Sequence, residues 1–318
     1  REQDSIGIED LAANDIEAIS FIYNVPLWLI NLWIREFGRD KTEDLCAWFN
    51  EQPKLTARIN TILIDIPQCL TMLNEQGWAV TQDSNYEDII YINSHRGSLE
   101  KSEAFIKGYI TFMDKASMLV ARLVNPQPGE RILDCCAAPG GKSMYMAALM
   151  DNVGSLMSCD IHEHKIELMN SNADRLGASI VHTKVQDATK LPDSWNSYFD
   201  RVLVDAPCSG LGILQKKLDM RWRKQESILS ELPPLQLAIL ERAAMTVKEK
   251  GYLIYSTCTL NYKENEEVVE SFLQKHKEFS IIPVADDFPL KSNSGMITTY
   301  PPTDDMDGFF MARMKRLS

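Results

Sequence analysis

The chain has 318 residues, 45% of them apolar and 25% charged, and a formal net charge of −12. Length and balance predict a soluble globular protein with room for more than one core. The acidic total excludes non-specific attraction to nucleic-acid phosphates over the whole surface, so any RNA or DNA contact has to come from a local basic patch.

Seven cysteines, with no C-x-x-C spacing, argue against a disulfide framework and against a zinc site. We expect a reducing, cytoplasmic setting and no metal. The most apolar early run, Phe21 to Ile34, is interrupted by Asn24, Pro26 and Asn31 and is too short for a bilayer, so no membrane partner is expected. The chain opens on Arg1 rather than Met, which suggests a start part-way through a longer product.

Residues 1–25 are polar and weakly patterned. Pro26 to Asn50 reads as two helices, with Trp28, Leu29, Leu32, Trp33 and Phe37 on one stripe. From Lys54 to Val124 short strands alternate with helices. TARINTILI, WAVTQ, DIIYIN and YITFMD read as strands, and IPQCLTMLNEQG, SEAFIKG and KASMLVARLV as helices. This is a small α+β unit, and NPQPGE after it is a turn-rich linker. The predicted domains are therefore 1–53 (helical), 54–124 (small α+β) and 125–318.

Beyond the linker the order is strand, helix, strand. RILDCC, GSLMSCD, SIVHTKVQD, FDRVLVDAP and GYLIYSTC are the strands. KSMYMAALM, HEHKIELMNSNADRLG, PPLQLAILERAAMTVKEKG and NYKENEEVVESFLQKH are the helices, the last with Asn261 and Glu264 spaced as a capping box. FSIIPV and GFFMARMKR add two closing strands. Such alternation predicts an α/β, doubly wound parallel sheet, which binds ligands beyond its strand C-termini.

The strand ends carry the distinctive residues. The first is followed by Cys136, Ala137, Ala138, Pro139, Gly140, Gly141 and Lys142. Gly141-Lys142-Ser143 looks like the end of a phosphate-binding P-loop, but Cys136 stands where that motif needs a glycine. The next strands end in Asp160, Asp187 and Asp205. Each aspartate alone could be a loop cap. Three in succession beside a glycine pair suggest a nucleoside pocket, and without G-x-G-x-x-G they suit the sulfonium of S-adenosylmethionine better than a pyrophosphate.

Cys208, in Pro-Cys-Ser-Gly just past Asp205, and Cys258, in Ser-Thr-Cys at the end of the next strand, should bring two thiols to one rim. Most cysteines are buried filler. A thiolate beside a methyl donor has a specific use, however. Addition to C6 of a pyrimidine makes C5 nucleophilic, and loss of the C5 proton after methylation expels the thiolate.

CAAPGGK, DAPCSGLG and STC in this order resemble the RsmB/Sun (NOL1/NOP2/Sun) RNA 5-methylcytosine methyltransferases. The similarity runs from about Tyr23 to the C-terminus and takes in PLWL, ARIN and DGFFMARMK. It is nearest the bacterial branch that modifies 16S ribosomal RNA. The resemblance implies a Rossmann-like S-adenosylmethionine-dependent methyltransferase sheet, parallel with an antiparallel C-terminal strand, preceded by a small α+β RNA-binding domain. It implies that Cys258 is the nucleophile and Cys208 assists release. Residues 136–142, Asp160, Asp187 and Asp205 would bind the cofactor, and Arg58 and Asn60 would face RNA. The family also carries a NusB-like N-terminal helical domain, of which residues 1–53 would be a remnant. It usually has Gln-Asp where this chain has Met113-Asp114.

The segment Gln215 to Lys224 is the local basic patch: five of its ten residues are cationic and Trp222 could stack on a base. Lys216, Lys217 and Arg221 are its candidate RNA contacts. A monomer acting on RNA is expected. Two other readings stay open: a C5-methyltransferase acting on tRNA or DNA, the DNA enzymes using the Pro-Cys cysteine as nucleophile, and a non-catalytic ribosome-assembly factor.

Overall fold

Two sheets organise the residues that the computed structural model describes, 16–284, 288–290, 292 and 294–317. The weakly patterned leading residues 1–15 lie outside the described residues. Three helices come first: α1 (Ile16–Tyr23), α2 (Leu27–Phe37) and α3 (Arg39–Asn50). Leu29, Trp33, Leu45 and Phe49 are fully buried between them, with the Trp33 and Phe49 rings 5.6 Å apart. Burying one such side chain stabilises by about 1.5–3 kcal/mol. The same cluster includes Leu211, Leu214 and Leu260, so this layer braces the loops around both cysteines of interest. Helix α1 escaped the sequence pattern because Phe21 and Ile22 are exposed and blur its stripe.

The first sheet contains β1 (Thr56–Ile59), β2 (Ala79–Gln82), β3 (Ile89–Ser94) and β4 (Ile110–Phe112) in the order β2-β3-β1-β4, all antiparallel. Helices α4 (Ile66–Glu75) and α5 (Glu103–Ile106) complete this α+β unit. The strand expected to reach Ile64 stops at Ile59, because Asn60 turns the chain.

Helix α6 (Lys115–Val124) leads into the second sheet. Asp114 caps it by accepting the Ala116 N–H at 2.8 Å, and Asn125, at φ 50°, ends it. Strands β5 (Arg131–Asp134), β6 (Ser155–Asp160), β7 (Val181–Val185), β8 (Phe199–Asp205) and β9 (Val247–Thr257) run parallel. Strands β10 (Phe279–Ile281), β11 (Met296–Thr298) and β12 (Phe310–Arg316) are antiparallel additions, with β12 against β9. The order is β10-β12-β9-β8-β5-β6-β7, with β11 also on β12. Helices α7 (Gly141–Leu149), α8 (Glu163–Leu176), α9 (Met220–Arg223), α10 (Ile228–Ala244), α11 (Glu266–Lys275) and α12 (Pro301–Asp304) connect the strands. From β5 the chain winds outward to β6 and β7, then returns to add β8 and β9 on the other side. The crevice between β5 and β8 is the topological switch point, where such sheets bind ligands.

Three sequence expectations are corrected. Helix α10 starts at Ile228, before the prolines, and stops at Ala244, because Val247 onward already pairs with β8. Asn261 and Glu264 do not cap α11, which begins at Glu266: Asn261 caps the short turn before it by accepting the Lys263 N–H at 3.3 Å, and the Glu264 carboxylate accepts the Ser209 N–H. Strand β11 was not anticipated; three residues leave too short a pattern to read.

Among the described residues no single helix is long and apolar enough to cross a membrane.

Candidate active site

The loop after β5 is small and close-set. The Ala137 N–H donates to Cys159 O at 2.7 Å and the Gly140 N–H to Ala137 O at 2.7 Å, which folds residues 136–142 over the end of β6. Gly140 sits at φ +99°, and a Cβ there would press on Met169 and Met144 at 3.2 and 3.3 Å. Underneath, the fully buried Asp134 accepts Ser143 Oγ at 2.7 Å, and Ser158 Oγ donates to Ser143 Oγ at 2.9 Å. Burial pushes the Asp134 carboxyl up to about 7, with the Ser143 hydrogen bond opposing.

At the end of β6, Asp160 Oδ1 accepts the His162 N–H at 3.0 Å, and Lys165 Nζ stands 3.6 Å from the same oxygen. Among the described residues no protein partner engages its second oxygen. Asp187, beyond β7, is self-engaged: its Oδ1 accepts the Thr189 N–H at 2.9 Å and the Thr189 hydroxyl at 2.6 Å. These hydrogen bonds, the hydroxyl's foremost, hold its carboxyl below the usual range.

Lys142 crosses the switch-point crevice. Its ammonium lies 2.7 Å from Asp205 Oδ2, while Ser256 Oγ donates to Asp205 Oδ1 at 2.7 Å. Burial pulls the Lys142 ammonium down, but Asp205 first, then Cys258 and Asp134, raise it overall. Asp205 and Ser256 are register partners on the parallel strands β8 and β9, so the residues just past them come together. Cys208 and Cys258 Sγ atoms are 3.2 Å apart, both half-buried. The Cys258 N–H also donates to Cys208 Sγ at 3.3 Å. Hydrogen bonding to Cys258 and burial, followed by the charges of Cys258 and Glu264, push the Cys208 thiol well above its ordinary range. Gly212 closes the loop: its N–H donates to Cys258 O at 3.0 Å, and a Cβ on it would lie 1.8 Å from Gly308 O.

The donor set fits an S-adenosylmethionine-type ligand. Small residues let the backbone approach, the open Asp160 oxygen suits a ribose diol, and carboxylates on both sides of the crevice suit a cationic sulfur.

The RNA-facing expectations are largely corrected. Arg58 and Asn60 are fully buried. Arg58 lies over the Tyr145 ring at 5.0 Å, and burial lowers its guanidinium to about 10. Asn60 Nδ2 donates to Gly108 O and Leu176 O at 2.9 and 2.8 Å, tying the small sheet to α8. Arg221 is buried too, donating to Phe49 O and Asn50 Oδ1 at 2.6 and 2.7 Å, so it fastens α9 to α3. Lys216 is engaged by Asp114 and Asp307. Lys217, Trp222 and Arg223 remain exposed. Ser256, Gln236 and Glu264 are site residues that the sequence reading missed. Ser256 lies in the quoted Ser-Thr-Cys motif and Glu264 in the expected helix cap, but neither motif signals a role at the site, and Gln236 lies in none.

Comparisons with known proteins bear on the family and the fold. Residues 121–315 match the family model described as 16S rRNA methyltransferase RsmB/F, and residues 25–97 match the ferredoxin-like domain of RsmF/B-like methyltransferases. The chain is 37% identical to Probable ribosomal RNA small subunit methyltransferase B of Bacillus subtilis, over 92% of this chain and 66% of that protein. It is likewise 37% identical to the Synechocystis protein of the same description, over 92% and 67%. The chain thus spans about two thirds of the length of these curated relatives. Among solved structures, PH0851 superposes with a TM-score of 0.89 at 32% identity, covering 95% of this chain and 68% of that one. NSun6 from Pyrococcus horikoshii with SFG superposes at 0.82 and 21% identity, covering 91% and 97%, a likeness of fold.

Proposed function

Because the chain belongs to the RsmB/F family of 16S rRNA methyltransferases, we propose that it methylates C5 of a cytosine in ribosomal RNA, through a transient bond between Cys258 and C6. The observation that carries this reading is the pair of thiols 3.2 Å apart at the ends of adjacent parallel strands, beside Lys142 and Asp205. When bound, S-adenosylmethionine supplies an electrophilic methyl group on a cationic sulfur. Asp160 would hold its ribose, residues 136–142 would flank it, and Asp187 would border the adenine.

The chain's own residues do the rest. The Cys258 thiolate gives its pair to C6, and the C5–C6 π pair shifts to make C5 nucleophilic. Lys142, held by Asp205 and within electrostatic reach of Cys258, offsets the negative charge that the ring acquires. After methylation the C5 proton passes to a base. The C5–H pair rebuilds the double bond, and the C6–S pair returns to Cys258. Cys208 is the group placed to be that base.

Electrostatics separates two thiols that distance alone leaves equivalent. Cys258 has a lysine for a neighbour, and Cys208 has Glu264. The side-chain hydrogen bond with Cys258, which favours the protonated Cys208 thiol, is the foremost cause of its raised value. Once Cys258 is a neutral thioether on C6, that cause disappears, and Cys208 ionises more easily when a base is needed.

In this reading the enzyme is a cytoplasmic monomer, with the unit at 54–124 and the exposed Lys217, Trp222 and Arg223 as its RNA-facing parts. The test is transfer of labelled methyl to total RNA from a strain lacking the activity. Label in 5-methylcytosine of the small-subunit RNA is expected; label in another nucleotide, or none, would overturn it.

A further inference from the structure

Glu264 has no exposed surface, yet it is a carboxylate. Its Oε2 accepts the Ser209 backbone N–H at 2.8 Å and Gln236 Nε2 at 2.9 Å. Its Oε1 accepts the Ser209 hydroxyl and, at 2.9 Å, the Asn261 side-chain amide. Gln236 also donates to Pro207 O at 2.9 Å. Ser209 directly, and Pro207 through Gln236, are thus fastened to one buried group, and that group belongs to the segment that follows Cys258. Burying a carboxylate is costly unless its lone pairs are filled, and here four donors fill them. A turn alone would be held as well by an exposed cap.

We infer that Glu264 is a positioning residue for Cys208: it seats the Pro207–Cys208–Ser209 turn so that this thiol stays beside Cys258. Its charge acts on the same thiol, as one of the causes that keep Cys208 protonated. The consequence for product release rests on the cytosine-C5 reading above. In release Cys208, having given up its own proton to solvent once Cys258 is tied up as a thioether, takes the C5 proton, the C5–C6 double bond re-forms, and the C6–S pair returns to Cys258. A displaced Cys208 leaves attack possible and slows that proton transfer.

Glu264→Gln keeps the shape but replaces one acceptor by an amide nitrogen, leaving two of the donors without a partner. Two readouts follow, with cofactor binding by calorimetry as the check that each variant is folded. In a Cys258→Ser background, the pH at which iodoacetamide half-labels Cys208 should fall in Glu264→Gln and recover in Glu264→Asp. This readout needs no RNA. With Cys258 present, the protein–RNA adduct on denaturing gels should decay about tenfold more slowly in Glu264→Gln, the size expected for a lost hydrogen bond to a charged group. The shorter Glu264→Asp, which keeps charge without reach, should stay slow. If Glu264→Gln does not bind cofactor, Glu264→Asp and Ser209→Ala carry the same test of adduct lifetime. Unchanged labelling and unchanged adduct lifetime overturn the inference. A shifted labelling profile with no adduct in any variant supports the placement of Cys208 and overturns the cytosine-C5 reading instead.

Discussion

At the β8–β9 half of the rim, Asp205, Ser209 and the two thiols are each held by partners from other parts of the chain. Asp205 is fixed by Lys142 and Ser256, and the Cys208 turn by Glu264 and Gln236. At the β6–β7 half, Asp160 and Asp187 are held by their own turns, through His162 and Thr189. On the proposed function the difference separates two tasks. Groups that make and break bonds gain from being locked before substrate arrives. Groups that only hold a ligand need an open oxygen and a stable turn.

That contrast ranks the expected effects of mutation. Cys258→Ala removes the attacking atom and should lower methyl transfer at least about 10³-fold, with no compensating change in cofactor affinity. Label transfer to RNA measures it, and residual activity within tenfold of the parent would break the contrast. Asp160→Ala, on the other half, should leave the thiols intact and weaken cofactor binding by about 1.5–3 kcal/mol, the worth of a hydrogen bond to a charged group. Unchanged affinity by calorimetry would remove Asp160 from the pocket. Asp187→Ala should cost less, about 0.5–1 kcal/mol, chiefly in stability through the lost turn cap. A larger loss in cofactor affinity than in thermal stability would make Asp187 a ligand rather than a cap.

Asp134 lies on β5, between the halves, and sharpens the comparison through pH. Its carboxyl is raised from 3.8 to about 7 by burial, so the folded state binds the proton more tightly than the unfolded one. Stability from this group is therefore full below about pH 4 and lost as pH rises toward about 7. Asp134→Asn should flatten that decline in urea midpoints between pH 5 and pH 7.5. An unchanged slope would mean that Asp134 is ionised in the folded state.

The sequence revealed the groups that are local along the chain. The 136–142 loop, the aspartates at strand ends and the two cysteines all sit where a strand visibly stops, so the alternating order was enough to bring them to one edge. Glu264, Gln236 and Ser256 were not legible, because they act across separations of 55, 29 and 51 residues through contacts that no periodicity encodes. Arg58, Asn60 and Arg221 failed in the opposite sense. Their charge or polarity suggested an outer face, yet each joins one layer of the fold to another. A cation in an acidic chain reads as surface until its packing is known, because burial of Arg is rare and leaves no mark in the sequence.

The central claim is that the two thiols have different tasks. Its most direct test incubates Cys208→Ala and Cys258→Ala with substrate RNA and cofactor and separates the products on a denaturing gel. The account predicts a protein–RNA band that persists with Cys208→Ala, where attack proceeds and release stalls, and no band with Cys258→Ala. A band trapped by Cys258→Ala and absent from Cys208→Ala would contradict it and make Cys208 the nucleophile.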